Sequence, residues 1–427
     1  MRRMSKQEKS WVFYDWANSA YSLLITTAVF PLYFKAAASE AGLAGSASTA
    51  YWGYANSFAT LLISICAPVL GSIADFKGFK KRFFTFFFAL GIIFTFMLAI
   101  VPSNQWLFLL ICYILTVIGF GGTNIFYDAF LVDVTSEDRM NKISSIGFSM
   151  GYIGSTIPFI LGITLIIFAQ QNIFPLSVTV ASQIAFAITA LWWGLFTIPM
   201  LKNVNQVYYK ARVSNPVSNS FKQLFRTIKK IKLYRPLFLF LLAYFFYIDG
   251  VHTIITMSTA YGSDLGIDST NLLIILFVTQ LVAAPFAYLY GRLADKYKGK
   301  NMLLVGIFIY IIICTYAYFL KTTLDFWLLA MLVASSQGGI QALSRSYFAK
   351  LVPKENANEF FGFYSIFYKF AAILGPFLVG LTAQMTGNTN SGVFSLIVLF
   401  IIGAIILIKV PETNHLSPSN SYTSLDQ

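Results

Sequence analysis

Charged residues are scarce in this chain of 427 residues. Asp, Glu, Lys and Arg make up 11% of it, whereas a soluble globular domain carries about 25%. Hydrophobic residues account for 57%, and the mean hydropathy is +0.69. This composition excludes an ordinary soluble domain and predicts an all-α polytopic membrane protein.

Cysteine and histidine are also rare. The three cysteines, Cys66, Cys112 and Cys314, each lie inside an apolar run. That placement excludes a disulfide framework, and their spacing suits no metal site, so we interpret them as apolar packing residues. The two histidines, His252 and His415, are too few for a His-rich metal cluster. We therefore expect no metal site and no cofactor.

Motifs of nucleotide-driven or covalent chemistry are missing too. The sequence contains no Walker-type phosphate loop, which argues against a built-in ATP motor, and no GxSxG nucleophile elbow. A membrane enzyme is the competing class, and we expect that the protein is not an enzyme. A receptor or scaffold stays open as a third class; a counterflow assay would separate it, because a scaffold exchanges no solute.

Apolar runs dominate the rest of the chain. A spanning helix needs about 20 apolar residues, and no small-residue cleavage site follows Met1–Ser10, so we expect the first helix to remain as an anchor. The predicted spans are 11–34, 50–75, 83–102, 106–134, 143–169, 178–201, 236–260, 271–294, 302–320, 326–352, 361–385 and 391–409. They define an N-terminal half (1–201), a linker (202–235), a C-terminal half (236–409) and a tail (410–427) predicted to be disordered.

The net charge of +13 follows the predicted topology. Most basic residues fall in loops on one side, and the outer loops hold only Lys35 and Lys321. The positive-inside rule then predicts an integral, multi-pass protein of the plasma (inner) membrane with both termini in the cytoplasm. The basic charge requires no nucleic-acid partner.

The linker is basic and contains no acidic residue. Phe221, Leu224, Phe225, Ile228 and Leu233 recur near helical spacing among lysines and arginines. This pattern predicts an interfacial amphipathic helix on anionic headgroups, and a specific lipid or regulatory site there is the alternative.

One motif occurs twice, half a chain apart. Gly71–Arg82 reads GSIADFKGFKKR, and Gly291–Asn301 reads GRLADKYKGKN. Gly121-Gly122 through Asn141 also aligns with Gly338-Gly339 through Asn358. Such repeats predict two related six-helix halves, with substrate bound between them near the membrane midplane.

The first copy resembles the loop signature of the major facilitator superfamily, and the second copy has one inserted residue before Gly299. A narrower resemblance covers nearly the whole chain and points to the vacuole-effluxer-like branch, which includes the autophagy-related vacuolar amino-acid exporter of fungi and many bacterial permeases. Its motifs here are YDWANSAY (14–21), YDAFLVDV (127–134), ISSIGFSMGYIG (143–154), YIDGVHTII (247–255) and QALSRSYFAKLVPKENANEFFGFYS (341–365).

The resemblance implies the major facilitator fold and a secondary transporter that works by alternating access. Amino acids or similar small polar metabolites are the implied substrates. Because the sequence contains no ATP-binding motif, we expect an ion gradient, of protons, to drive transport. Amphipathic drugs or lipid-like molecules are the alternative, which the 17% aromatic content favours. The expected partners are a small-molecule substrate, protons and the lipid bilayer, and the protein is expected to work as a monomer.

Polar side chains within predicted helices are the candidate site residues, because they are costly in a membrane. Asp249 and His252 lie three residues apart in helix 7 and predict a proton-coupling or substrate-binding pair; an Asp–His hydrogen bond that locks the helix is the alternative. Asp15, Asn18 and Tyr21 form a polar seam in helix 1, interpreted as facing a cavity, with helix–helix hydrogen bonding as the alternative.

The aligned repeats suggest a gate. Asp128 and Arg345 occupy equivalent positions of opposite charge, so we predict a salt bridge that breaks when the carrier opens inward. Asp133 and Lys350 form a second opposite-charge match. In the alternative interpretation each charge pairs within its own half.

The remaining candidates lie in helices 8, 10 and 11 and in the repeated loops. Gln337, Gln341 and Arg345 share one face of helix 10, Gln280 lies deep in helix 8, and either Arg345 or Lys369 could bind a substrate carboxylate. The loop residues are predicted to tie the loops to neighbouring helix ends and to contribute to gating; they are Gly71, Asp75, Gly78, Lys81, Gly291 and Asp295.

Overall fold

The computed structural model describes residues 3–43, 45–211, 234–371 and 373–411. The predicted interfacial helix and nearly all of the tail, with His415, lie outside these residues. Within them, twelve helices are long and apolar enough to cross a membrane, and the prediction of an all-α polytopic protein is confirmed. The helices are α1 (Lys6–Glu40), α2 (Gly45–Ala74), α3 (Phe79–Ile100), α4 (Trp106–Val134), α5 (Met140–Gln170), α6 (Val178–Asn203), α7 (Arg235–Asp264), α8 (Ser269–Tyr297), α9 (Gly299–Tyr318), α10 (Thr323–Leu351), α11 (Lys354–Thr386) and α12 (Asn390–Ile408).

The helices α1–α6 and α7–α12 form two halves that meet along three helices of each half. Helix α2 packs on α11, α5 on α8 and α10, and α4 on α11. One end of the bundle carries the starts of α1 and α7 and the loops at 75–78, 135–139, 298 and 352–356. We call this end the basic face.

Two glycines let the halves approach closely. The Cα of Gly71 in α2 faces the backbone carbonyl of Asn358 in α11, and the Cα of Gly291 in α8 faces the side chain of Ser145 in α5. A side chain at either position would overlap its neighbour. These two repeat-related glycines are therefore packing positions within helices.

The two copies of the repeated loop differ at their turn. Gly78 has a φ of 82° and caps α3, a conformation that glycine adopts without steric cost. In the second copy Lys298 takes the left-handed position, with a φ of 68°, and Gly299 begins α9. The inserted residue therefore shifts the turn onto a lysine.

A second asymmetry between the halves concerns Pro158 and Pro376, each of which begins a Pro-Phe-x-x-Gly sequence. Proline has no backbone N–H and disfavours a helix interior. Helix α5 nevertheless runs unbroken through Pro158, whereas α11 consists of two segments, Ala357–Phe370 and Leu374–Thr386, with Pro376 in the first turn of the second. The N–H of Gly375 at this break is donated to Asp249 of α7, at 2.9 Å.

Candidate functional site

A cavity of about 290 Å³ lies between the two halves. Helices α1 and α4 line it from one half and α10 and α11 from the other. Its polar and charged lining includes Asp15, Asn18, Asn124, Asp128, Gln341, Arg345, Ser365 and Lys369. Both halves therefore contribute charged groups to one central space.

Arg345 crosses from α10 to the N-terminal half at this cavity. Its guanidinium donates to the carboxylates of Asp128 at 3.1 Å and Asp15 at 3.0 Å. It also donates to the hydroxyl of Ser144 at 2.9 Å and to the carbonyl of the same residue at 3.0 Å. The guanidinium carbon lies 4.6 Å from the centre of a Trp11 ring, within cation–π range. One buried cation is thus shared by two carboxylates, and the cluster has a net charge of one negative unit.

The sequence paired Asp128 with Arg345 but did not anticipate Asp15 as the second partner of the guanidinium. Asp15 belongs to α1, and the alignment of the repeats does not show that α1 and α10 are in contact. The only signal was its place in the YDWANSAY motif.

The predicted match of Asp133 with Lys350 is wrong. Asp133 forms a fully buried ion pair with Lys80 of α3, in its own half, with 2.5 Å between Nζ and Oδ2. Its other carboxylate oxygen accepts hydrogen bonds from the backbone N–H groups of Val207 and Tyr208 at the start of the linker, at 2.8 and 2.9 Å. A buried lysine needs a close partner, and Lys80 takes this one.

The Asp–His hydrogen bond given as the alternative for Asp249 and His252 is absent, because the two side chains have separate surroundings. Asp249 Oδ1 accepts from the N–H of Gly375, and Asp249 Oδ2 is buried with no donor. The His252 ring packs edge-on to Tyr368, with 5.6 Å between centroids, and its Nδ1 is likewise unpartnered. The break in α11 offers a free N–H, which draws the carboxylate away from the histidine.

Both interpretations of the polar seam in α1, as cavity lining and as helix–helix hydrogen bonding, apply to some of its residues. Asp15 and Asn18 line the cavity, and the Asn18 amide also donates to Asn124 of α4 at 2.7 Å. Tyr21 is fully buried away from the cavity, where its hydroxyl is 2.7 Å from that of Thr116. Its prediction as a cavity residue is therefore wrong, and it joins α1 to α4.

Lys369 reaches the central cavity from α11. Its ammonium has no hydrogen-bond or ion-pair partner among the residues that the structure describes, and its Nζ lies next to Gly121 of α4. Gln341 lines the same cavity. Gln280 and Gln337 instead line a second, mostly apolar cavity of about 120 Å³ within the C-terminal half.

Asp75 joins the two halves on the basic face. Its Oδ1 accepts from the backbone and side-chain N–H groups of Asn358, at 2.9 and 2.8 Å, and its Oδ2 accepts from the N–H of Glu359 at 3.3 Å. A carboxylate at the start of α11 suits the positive end of the helix dipole. Burial raises the pKa of Asp75 to about 7, against the opposing effects of Lys210 and Asn358. Asp295, its counterpart in the second repeat, is exposed.

Two further loop candidates have local partners. Lys81 donates to the side chain of Asn205 at 2.8 Å, and the N–H of Gly78 donates to the side chain of Gln206 at 2.9 Å. Both contacts bind the repeated loop to the beginning of the linker. Lys350 is half-buried and forms no ion pair within the described part of the chain.

Residues 4–416 match the family model described as "Vacuole effluxer Atg22 like". A Bacillus subtilis protein described as the uncharacterized MFS-type transporter YxiO is 62% identical over 425 residues, which cover 100% of this chain and 99% of that protein. Autophagy-related protein 22 of Kluyveromyces lactis is 26% identical over 378 residues, or 81% of this chain and 75% of that protein.

Solved structures show the same fold at low sequence identity. The major facilitator superfamily transporter FucP in its outward conformation aligns with a TM-score of 0.69 at 15% identity, over 95% of this chain and 98% of that one. The human organic anion transporter MFSD10 aligns with a TM-score of 0.68 at 13% identity, over 94% and 99%.

Proposed function

Because the chain belongs to the vacuole effluxer Atg22-like family of the major facilitator superfamily, we propose that it carries a small zwitterionic solute, such as an amino acid, across the membrane by proton-coupled alternating access. The family and the fold support a transporter. The substrate class rests on one observation, which is the unpaired ammonium of Lys369 in the same cavity as Asp15 and Asp128.

The charges in the cavity complement a zwitterion. Lys369 is half-buried and its ammonium lacks a partner, so a substrate carboxylate there would offset the cost of its partial desolvation. On the other wall two carboxylates share the Arg345 guanidinium, and the Asp128 side chain is 24% exposed while that of Asp15 is 11% exposed. Asp128 is thus the acid available to a substrate ammonium. A cavity of about 290 Å³ limits the solute to a small molecule.

Alternating access is supported by where the halves are joined. Arg345, Asp75 and Ser346 all bond across the two halves towards the basic face, the last through Asn141 at 3.0 Å. With both termini in the cytoplasm, this arrangement is closed to the cytoplasm and loads solute from the other side. Opening inward would break these bonds while the substrate occupies the cavity between them.

Proton coupling is assigned to Asp249. Its carboxylate has one oxygen on the backbone of the broken α11 and a second oxygen with no donor, which a proton would satisfy. Protonation there would change the charge that faces the break, and α11 also carries Lys369. A proton and a substrate carboxylate could therefore act on the same helix.

An amphipathic or lipid-like substrate is the second candidate. The apolar cavity of the C-terminal half, lined by side chains such as Leu272, Phe326 and Val333, favours it. Such a molecule would not require the Lys369 ammonium, which separates the two proposals.

The test uses purified protein in liposomes that contain a pH dye, with counterflow of radiolabelled amino acids. We expect exchange accompanied by a pH change, and an increase in KM of about 10- to 150-fold in Lys369→Gln, because a hydrogen bond to a charged group contributes about 1.5–3 kcal/mol. Lys321→Gln, an exposed lysine in an outer loop, is the matched control.

An unchanged KM in Lys369→Gln would refute the zwitterion proposal, and the same liposomes would then be tested with amphipathic cations and fluorescent lipids. Failure to exchange any solute would favour a receptor or scaffold. We further propose that the working unit is a monomer in the plasma membrane; transport by liposomes that carry one copy each would support this.

A further inference from the structure

A groove of about 710 Å³ on the basic face lies apart from the central cavity. One wall is the first two turns of α3 together with the loop before it, and the other is the beginning of the linker. Its charged and polar lining includes Lys77, Lys81, Arg82, Asn205, Gln206 and Tyr209.

The three cations of this groove have no acidic partner among the described residues. Lys81 donates to the Asn205 side-chain oxygen, Lys77 lies 5.2 Å from the centre of the Tyr209 ring, and Arg82 lies 5.8 Å from that of Phe79. The linker sequence from 202 to 235 contains no acidic residue that could neutralise them. A phosphate group matches such a set of cations, amides and hydroxyls, because it accepts several charge-assisted hydrogen bonds.

The groove continues into a surface that faces lipid. Phe86 forms its apolar end, and Ile93, Phe96 and Ile100 follow it along the exposed side of α3. A headgroup in the groove would therefore have its acyl chains against these side chains. Since α3 begins at Phe79, its first two turns lie at the level of the membrane surface, where basic pockets meet lipid headgroups.

We propose that this groove binds the phosphodiester headgroup of an anionic phospholipid. The proposal does not depend on the transported solute. Free phosphate shares the headgroup chemistry, but it would leave the apolar end of the groove and the stripe on α3 without a partner.

A bound lipid would also act on the contact between the halves. Gln206, in the groove wall, accepts from the N–H of Gly78 and donates to the carbonyl of Ala74 at 2.9 Å, and the N–H of Lys210 donates to the carbonyl of Asp75 at 2.8 Å. A lipid bound in the groove between the linker and α3 would therefore stabilise the contact of the linker with the loop that contains Asp75. Because Asp75 binds the start of α11, the lipid should favour the state that is closed at the basic face.

The experiment is native mass spectrometry of the full chain titrated with phosphatidylglycerol or phosphatidylcholine. We expect preferential retention of phosphatidylglycerol, weakened about 30-fold in Lys81→Gln/Arg82→Gln, which corresponds to about 5-fold for each cation removed near an anionic headgroup. Lys77→Gln/Arg82→Gln, which keeps the bond from Lys81 to Asn205, should weaken retention equally. Arg292→Gln/Lys296→Gln removes two exposed cations from the same face and should retain the lipid as the wild type does.

Separate titrations with inorganic phosphate and with the glycerophosphoglycerol headgroup distinguish the source of the phosphate. We expect neither to displace phosphatidylglycerol at concentrations below about 100 times that of the lipid, since both lack acyl chains. Displacement at equal concentrations would overturn the lipid assignment in favour of a soluble anion. Equal weakening in the Arg292/Lys296 control would overturn the site in favour of general surface charge.

Discussion

The strongest test of the structure is removal of the Arg345 cation. The guanidinium makes four hydrogen bonds, and its side chain is only 4% exposed. In Arg345→Gln the buried carboxylate of Asp15 and the partly exposed carboxylate of Asp128 would lie close together without a counter-charge. Breaking a buried ion pair by removing one partner costs about 3–5 kcal/mol, and here that cost falls on the state closed at the basic face.

A loss of about 3 kcal/mol shifts a two-state equilibrium about 150-fold, since about 1.4 kcal/mol is a factor of ten. We therefore expect Arg345→Gln to convert a closed population largely into one open at the basic face. Asp128→Asn should cost only about 1 kcal/mol, because the amide still accepts a hydrogen bond and Asp15 keeps the cation paired. Asp15→Asn should cost more, since Asp15 is the more buried partner.

The assay is the distance between spin labels at Asp138→Cys and Glu355→Cys, two exposed positions on opposite halves of the basic face. The ion pair between Lys354 and Glu137, at 3.0 Å, brings their neighbours together in the closed state. Cys66, Cys112 and Cys314 would be replaced by alanine. A distance distribution in Arg345→Gln identical to that of the wild type would refute the gate.

A charge-swap double variant would not rescue this gate. With the charges of Asp128 and Arg345 exchanged, the new carboxylate at 345 would face Asp15, so repulsion would replace the second salt bridge. The informative comparison is Asp15→Asn combined with Asp128→Asn. Because both acids share one cation, their joint loss should exceed the sum of the two single losses.

Three further predictions concern the basic face and α11. The pKa of about 7 at Asp75 should fall towards about 3.9 when the carboxyl reaches water, so opening releases a proton. Protonation of Asp75 therefore stabilises the closed state. This stabilisation is complete below about pH 4 and decreases by about 1.4 kcal/mol per pH unit as the pH rises to 7. The open fraction from the spin labels should thus rise between pH 5 and 7 and stay constant with pH in Asp75→Asn. Gly71→Ala should push α2 away from the Asn358 carbonyl, destabilise the contact between the halves by about 1–3 kcal/mol and reduce transport. Gly380→Ala should leave transport unchanged, because there is open space at its Cβ. Equal effects of the two substitutions would contradict the close-packing argument. Asp249→Asn keeps an acceptor for the α11 backbone and removes a titrating group, so counterflow should persist while the solute-driven pH change disappears; a retained pH change would exclude Asp249 as the coupling residue.

The order of the helices and one gate contact could be predicted from sequence, for different reasons. Apolar runs report helix spans directly, because the bilayer demands a fixed length of apolar chain. The Asp128–Arg345 ion pair could be predicted because the two residues occupy matched positions in helices that converge at the pseudo-symmetric centre. The same logic failed for Asp133, since Lys80 is closer within its own half. Symmetry identifies possible partners but carries no information about competing ones.

The contacts of α11 could not be predicted, because its break is a tertiary effect. Pro158 and Pro376 have the same local motif, yet only the second lies at a break. A helix can break at a proline where neighbouring groups satisfy the backbone groups that the break frees, and Asp249 of α7 accepts from the N–H of Gly375 there. A sequence pattern in α11 alone does not contain that information.

Asp15 and Asp249, each an acid within the first helix of its half, have different partners. Asp15 of α1 binds Arg345 and so holds the two halves together, whereas Asp249 of α7 binds the backbone of a helix in its own half. Under the proposed mechanism, neutralising Asp15 would weaken a contact of the closed state, and protonating Asp249 would act on the helix that carries Lys369. This difference between the two carboxylates would let one half hold the gate and the other half sense the proton and the substrate.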